Sequence, residues 1–422
     1  MRIIVANYRY FVAGGPEKYM FKFMEAAKRR GIEVIPFSVN NPQNVDTPYS
    51  KYFAKPRSSE LMYSDTKKSL SNIIGMARAT VWNYDAARML RKLIRDTKPD
   101  TVYILHEVNH LSPSIIRAAK KEGVRVVHRI SDFFMFCAKY DFLCNNEICE
   151  ACIHKDFRKA LENKCVKGSK AGTLLRVMAM KLYWKIKVFD DVDQFICTCN
   201  FSKNKLIEGG IPENKISCIP TFIDAKQIVP CYEHEKYFLF LGRMAHQKGV
   251  IYAIEAMKYL KDSEFVLMIT GTISKSDEDQ EIWKYIQEND LEEKIIFTGF
   301  KQGAELEKLI SRATCIVCPA IWYENMPNTV IEAYAYGKPV VASKIGSLAE
   351  IVDDGKTGFL FEMKNSRLLA EKLKCFINDP NLIYIMGKNA RKKCEIEYSE
   401  ECHFNKLVPV LQGGKIHGGL NR

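Results

Sequence analysis

One pattern constrains this chain more than any other feature, and it runs twice. Short apolar runs alternate with longer stretches at helical spacing, and near residue 216 the alternation starts again. In the first half Ile3–Ala6, Glu33–Val39, Thr101–His106, Arg125–Ile130 and Gln194–Cys199 are strand-like. In the second half Tyr237–Leu241, Phe265–Thr270, Ile295–Thr298, Cys315–Pro319 and Pro339–Ser343 are. Helical stretches lie between them: from Gly14-Gly15-Pro16 through Arg30, then Val81–Asp96, Ser112–Lys121, 172–189, Gly249–Leu260 and 278–289. An unbroken run such as Tyr237-Phe238-Leu239-Phe240-Leu241 suits a strand covered on both faces. Strands that alternate with helices become parallel strands joined by crossovers. The expected class is therefore α/β, with two Rossmann-like domains facing each other across a cleft. Open sheets of this kind take ligands beyond the carboxyl ends of their strands, so the cleft is the expected site.

The expected division is a first Rossmann-like domain over 1–212, with a cysteine-rich insertion at about 137–165, and a second Rossmann-like domain over 213–395. A helix and tail over 396–422 is expected to return to the first domain. Residues 40–80 are polar and read as a loop-rich excursion with some helix, and 216–235 as a connector.

Length and composition agree with two domains. A chain of 422 residues is too long for one ordinary core, and 47% hydrophobic with 27% charged residues is a globular balance. No run approaches the roughly 18 apolar residues of a spanning helix. Met1–Asn7 reaches Tyr8-Arg9-Tyr10 too soon for a secretory leader, so a cytoplasmic location is expected. The net charge is +13, and ten basic residues against two acids fall between Lys155 and Lys187. A nucleic-acid protein spreads basic and aromatic residues over a face or carries a reading module. Neither pattern stands out, and no nucleic-acid partner is expected. Fourteen cysteines in a reducing compartment should be thiols. Cys197, Cys199, Cys315 and Cys318 sit in apolar runs and read as small core residues.

Two segments carry anion and hydroxyl chemistry. In Leu241-Gly242-Arg243-Met244-Ala245-His246-Gln247-Lys248-Gly249 a strand ends on glycine, and a loop with two cations leads into a helix. An arginine fork, a mobile ammonium and a helix N-terminus together can neutralise a diphosphate. An ordinary loop with solvated cations is the alternative. The second segment runs from Ile321 to Ser343. Asn328 reads as an N-cap for a helix from Thr329 to about Tyr336, stopped by Gly337. Glu324 then lies in the loop at the strand end and Glu332 one turn inside the helix. A carboxylate accepts two vicinal hydroxyls, so both suit a sugar; a capped surface helix is the alternative.

Together these segments resemble glycosyltransferase family 4, also called group 1, whose members are retaining enzymes of the GT-B fold. The carrying residues are Gly242-Arg243…Lys248-Gly249, the Glu324-x7-Glu332 pair and Gly337-Lys338-Pro339-Val340-Val341-Ala342-Ser343…Ile345-Gly346-Ser347…Glu350-Ile351-Val352…Gly355…Gly358-Phe359-Leu360. In the first half Gly14-Gly15 and His106…Leu111-Ser112-Pro113 match more loosely. The resemblance implies that Arg243 and Lys248 bind the donor diphosphate and that Glu332 holds the nucleotide ribose. Glu324 would hold sugar hydroxyls at the anomeric centre. Asn325, Met326, Pro327, Asn328 and Thr329 would contact sugar and phosphate through their backbone. Gly14 and Gly15 would close on the phosphate, and His106 would lie on the acceptor side. Such enzymes generally work without a metal or other cofactor. The donor would be a UDP- or GDP-sugar, and the acceptor a glycan or a lipid-linked glycan, in surface polysaccharide assembly. A synthase or phosphorylase on the same fold, and an inactive sugar-nucleotide-binding module, are the alternatives.

Two places depart from the family. After Arg125–Ile130 the family often carries a His-Asp pair, with the histidine a candidate base. This chain has Ser131-Asp132 there, and His128 three residues early. His128 and Asp132 are both retained as catalytic candidates, beside a strand-histidine reading of the first. Thr270-Gly271-Thr272-Ile273-Ser274 replaces a glycine-rich turn.

Two further constellations stand outside this scheme. Cys137-x6-Cys144-x4-Cys149-x2-Cys152-x12-Cys165 has the gap of a zinc knuckle in polar surroundings. Cys144, Cys149, Cys152 and Cys165 are candidate ligands of a structural zinc, with His154 an alternative ligand. Free thiols and a redox role stay open. Between Lys164 and Phe189 lysines alternate with Leu174, Leu175, Val177, Met178, Leu182, Tyr183 and Trp184. This reads as an element for an anionic membrane surface, at the inner face of the plasma membrane, or as a domain helix with solvated lysines.

Overall fold

The computed structural model describes residues 1–56, 81–108, 110–271 and 277–414. Two six-stranded sheets carry the molecule, and every pairing in them is parallel. The first uses β1 (Arg2–Asn7), β2 (Glu33–Phe37), β3 (Thr101–His106), β4 (Arg125–Arg129), β7 (Gln194–Cys197) and β8 (Ile216–Cys218). Its order is β2-β1-β3-β4-β7-β8. A small hairpin, β5 (Leu143–Cys144) with β6 (Glu147–Ile148), lies in the cysteine-rich segment. The second sheet uses β9 (Tyr237–Leu241), β10 (Val266–Thr270), β11 (Ile295–Gly299), β12 (Cys315–Cys318), β13 (Val340–Ser343) and β14 (Gly358–Phe361). Its order, β11-β10-β9-β12-β13-β14, is that of a doubly wound nucleotide-binding sheet.

Burial explains why these runs become strands. Ile4 and Ala6 enter one core of the first domain, while Ile3 and Val5 enter the core on the opposite face. In β9, Phe238 and Phe240 go to one face, Tyr237 and Leu239 to the other. Both faces of each sheet are covered, as continuous apolar strands require.

Three expectations need adjustment. Ile216–Cys218 is not connector but the edge strand β8 paired with β7, so the chain leaves the first domain after Cys218 rather than at 212/213. The helix expected from Val81 runs Tyr84–Thr97, because the Asn83 side chain accepts from the Ala86 N–H and sets its start. The helix of the second motif is Asn328–Ala335 with Pro327 at the cap, so Asn328 is its first residue and not its N-cap. Of the excursion over 40–80, residues 57–80 lie outside the described residues, as do 272–276 of the altered turn and 415–422 of the tail.

After β14 the helices Ser366–Asn378 and Asn381–Glu397 stay with the second domain, and the chain then crosses back. The two crossings touch: the Ile223 N–H donates to the Tyr398 carbonyl at 2.9 Å. The last helix, Glu400–Leu411, places Phe404, Leu407, Val410 and Leu411 in the core beneath β1 and β3. The Arg30 guanidinium lies 4.3 Å from the Phe404 ring.

Candidate active site

In the second sheet the strand order reverses between β9 and β12, so the loops after these two strands flank a crevice. Both motifs singled out from the sequence fall there. The loop after β9 carries Arg243 and Lys248, and the loop after β12 carries Glu324. Gly249 lets them meet: its φ is +67°, and a Cβ added there would stand 2.0 Å from the Pro319 carbonyl oxygen. The Ile321 N–H donates to the Gln247 carbonyl at 3.0 Å across the same seam.

The result is a preformed charged pair. Lys248 Nζ lies 2.5 Å from Glu324 Oε1, and the Trp322 indole N–H donates to the same oxygen at 2.8 Å. Ser347 Oγ donates to the Glu324 carbonyl at 2.7 Å and holds the loop from behind. Glu324 is 8% exposed, so its carboxylate is aimed rather than free. Arg243 is exposed and has no ion-pair partner among the described residues.

Glu332 lies one turn inside Asn328–Ala335, whose first N–H groups are open. Burial pushes its carboxyl above the usual range, and Lys22 and Lys18 pull it partly back. These lysines belong to the helix Gly15–Arg29 of the other domain. The glycine loop approaches the same helix start: a Cβ on Gly15 would lie 3.6 Å from Asn328 Nδ2. Gly14 precedes it in extended backbone. Lys18 and Lys22 were not singled out from the sequence. Their four-residue spacing behind Gly14-Gly15 is the signal that they share a helix face.

Asn325 and Met326 turn the other way. Asn325 Oδ1 accepts from Thr198 Oγ1 at 3.0 Å and Ser202 Oγ at 2.9 Å, and its Nδ2 donates to the Ile130 carbonyl at 2.6 Å. Its own carbonyl accepts from Thr198 Oγ1 at 2.8 Å. Met326 Sδ lies 3.1 Å from the Thr221 N–H. Both residues join the two domains, because the loop passes where the domains touch. Pro327, Asn328 and Thr329 remain at the open first turn. Glu350 works at the same seam: its carboxylate accepts from the Asn200 and Phe201 N–H groups, both at 2.9 Å, and caps a first-domain helix.

In the first sheet the order reverses between β1 and β3. The loop after β1 holds Tyr8 and Gly14-Gly15, and β3 ends on His106. His106 Nε2 lies 3.0 Å from Asp132 Oδ2, so two predicted residues do come together. Burial pulls the imidazole pKa down, but the Asp132 hydrogen bond and the Asp132, Glu107 and Glu17 charges outweigh it, and the net shift is upward. Tyr8 packs edge-on to His106 at 4.8 Å and stacks on His110 at 5.3 Å. His128 does not belong here. It is 1% exposed, packs against Phe134 and Phe195, and pairs with the buried Glu107 at 3.1 Å. It fills a core position on β4, and a catalytic role for it is withdrawn; Asp132 pairs instead with His106.

The predicted ligands Cys144, Cys149, Cys152 and Cys165 line one small cavity, joined by Cys137, while His154 is exposed and stands off it. The basic helix runs Lys170–Lys185 and buries Val177, Met180 and Tyr183, together with Arg176. Its outer face shows Leu174 and Met178 at 50% and 58% exposure.

Two doubly wound domains whose switch-point loops oppose each other across a cleft make up the GT-B architecture of glycosyltransferases. Comparison with known proteins places the chain within it. Residues 13–227 match the model described as Glycosyltransferase Family 4, and residues 222–393 the model described as Glycosyl transferases group 1. The chain belongs to glycosyltransferase family 4. An uncharacterized glycosyltransferase of Methanocaldococcus jannaschii is 31% identical over 45% of this chain and 48% of its own length. A UDP-Gal:alpha-D-GlcNAc-diphosphoundecaprenol alpha-1,3-galactosyltransferase of Escherichia coli is 26% identical over 47% of this chain and 55% of its own. The chain thus spans about half the length of the curated relatives it matches. In fold it is similar to the sucrose-phosphate synthase of Thermosynechococcus elongatus, with a TM-score of 0.70 at 17% identity over 98% of both chains. It is similar also to Anabaena HepE crystallised with UDP and glucose, with a TM-score of 0.67 at 14% identity, covering 98% of this chain and 100% of that one. Among the described residues no helix is long and apolar enough to cross a membrane.

Proposed function

We propose that the protein is a retaining hexosyltransferase that moves a sugar from a UDP- or GDP-sugar to a glycan or lipid-linked acceptor in surface polysaccharide biosynthesis. The observation that carries this reading is the Lys248–Glu324 pair at the β9/β12 switch point, opposite Gly15 and within the same crevice as Glu332. A diphosphate entering the crevice competes for Lys248 and recruits Arg243, which has no ion-pair partner among the described residues. Two cations and the open turn at Asn328 then meet the charge that grows on the departing phosphate. Glu332 accepts the ribose hydroxyls, and Lys18 and Lys22 hold it ionised when the domains close. Glu324, released from Lys248, accepts hydroxyls of the transferred sugar beside its anomeric carbon.

With His128 in the core, no base on β4 reaches the acceptor. The acceptor hydroxyl attacks on the face the diphosphate leaves, and the leaving phosphate oxygen takes its proton. The His106–Asp132 pair, at the mouth of the first domain, orients that hydroxyl. The Escherichia coli relative is named for a UDP-sugar and a diphosphoundecaprenol-linked acceptor, and the Anabaena neighbour was crystallised with UDP; both support a nucleotide donor. The exposed Leu174 and Met178 beside Lys170, Lys181 and Lys185 support peripheral attachment at the inner face of an anionic plasma membrane.

Glu324→Ala tests the assignment. Turnover should fall by orders of magnitude while UDP or GDP still raises the melting temperature. Unchanged turnover refutes it, and release of sugar 1-phosphate from a glycan with inorganic phosphate would indicate a phosphorylase instead. Liposome sedimentation tests the membrane face: equal binding to neutral and anionic vesicles at low salt rejects it.

A further inference from the structure

The cysteine-rich segment between β4 and β7 is unlike the rest of the molecule. It holds little regular structure: a hairpin of two-residue strands and the short helix Arg158–Glu162. Its core is small, built on Ala138, Cys152, Phe157 and Ala160 against Val177 and Met180 of the next helix. Among the described residues, seven of the twelve non-glycine residues with positive φ lie between Tyr140 and Lys167. Such backbone persists only where its surroundings over-determine it. A core of this size is a weak constraint, and small modules of this kind are held by disulfides or metals.

Five thiols converge within it. Cys137, Cys144, Cys149, Cys152 and Cys165 all line one cavity. The Cys165 thiol is within interaction range of Cys144, Cys137 and Cys152, and the Cys152 thiol within range of Cys137 and Cys149. All are free cysteines. Two cations border the cavity, Lys139 and Lys159. Among the described residues no three ligating side chains already stand in coordinating geometry. The thiols face one space from different turns.

The segment also reaches the second domain. Lys364 Nζ lies 2.5 Å from Glu147 and 2.9 Å from the Asn146 carbonyl, both in the β5–β6 hairpin. Glu150, between Cys149 and Cys152, pairs with Lys205 at 2.6 Å and acts on the Tyr323 phenol. The Phe142 ring meets Tyr323 edge-on at 6.2 Å. Tyr323 immediately precedes Glu324.

We propose that four of these five cysteines bind one thiophilic divalent cation, zinc by its chemistry, and that the ion holds residues 137–165 as a clasp between the domains beside the Glu324 loop. Each ligating thiol passes its proton to solvent, and four thiolates with a dication carry net −2, which Lys139 and Lys159 border. The site is closed and structural, and is independent of the chemistry proposed for the cleft.

The test uses full-length protein purified under reducing conditions with zinc supplied. Elemental analysis should give about one zinc per chain, and cobalt substitution should give intense thiolate-to-metal absorption with tetrahedral visible bands. Removal by a chelator should lower the melting temperature and speed hydrogen exchange in residues 137–165 and 321–324. Cys152→Ser and Cys165→Ser should lose the zinc to an equimolar chelator that wild type resists, while Cys375→Ser, far from the cavity, keeps it. The cobalt spectrum of wild type is the second readout, independent of whether a cysteine variant folds. Absence of stoichiometric metal, an iron–sulfur chromophore, or an intact mass showing a disulfide within the segment would each overturn the proposal.

Discussion

Replacing Lys248 by Met should do more damage alone than together with Glu324→Gln. The two charges are 2.5 Å apart, with side chains 25% and 11% exposed. At an effective dielectric of about 20 the bare attraction is roughly 7 kcal/mol. Most of it offsets the loss of hydration of both groups, and the open side of Lys248 trims the rest. A coupling of about 2 kcal/mol should remain. Lys248→Met leaves a carboxylate held by the Trp322 indole alone, and breaking a buried pair from one side costs about 3–5 kcal/mol. With a quarter of the lysine in solvent, about 2–3 kcal/mol is expected here. Glu324→Gln keeps an acceptor for the indole and should cost about 1–2 kcal/mol. The double variant should sit near the milder single. Urea unfolding of the four proteins, followed in the second-domain transition, measures this cycle. Additivity within about 0.5 kcal/mol would show that the pair is not coupled, and the preformed-site argument would fail.

Other perturbations follow from the same geometry. Because burial raises the Glu332 carboxyl above its ordinary 4.5, its ionised form costs stability. Glu332→Gln should therefore match wild type below that value and become relatively more stable as pH rises through the raised pKa. The same variant should bind nucleotide sugar about 10–100-fold more weakly, by the loss of a hydrogen bond to a charged acceptor, as calorimetry would read; equal affinity would remove Glu332 from the donor site. His106 is raised above 6.5 by Asp132, so its pair contributes stability below that pH and loses it as pH rises through the folded pKa. Asp132→Asn should flatten that part of the pH–melting curve, and an unchanged curve would contradict the pairing. Gly249→Ala puts a methyl 2.0 Å from a backbone oxygen at φ +67°, and should lower stability by more than about 3 kcal/mol or displace the Lys248 loop. Wild-type stability with full nucleotide binding would refute that packing.

The sequence by itself determined most of both sheets and the residues that reach the second-domain crevice. Continuous apolar strands have one place to go, between two helical layers, so periodicity marked most of both sheets. Gly242-Arg243…Lys248-Gly249 and Glu324…Glu332 could be located because each lies within a few residues of a strand end, and local geometry carries them to the crevice. Edge strands β8 and β14 escaped notice because three and four residues leave too short a period to read. The fates of polar side chains were decided by contacts distant in sequence. His128 and His106 are alike as letters; what separates them is that β4 carries one inward to Glu107 while β3 ends on the other beside Asp132. The Asn325 side chain is taken by Thr198, Ser202 and Ile130 of the other domain, contacts that no local pattern announces. The five cysteines could be counted in the chain, but their common cavity exists only once residues 137–165 have folded, and the reach of Glu147 and Glu150 across the seam exists only once both domains are folded against each other.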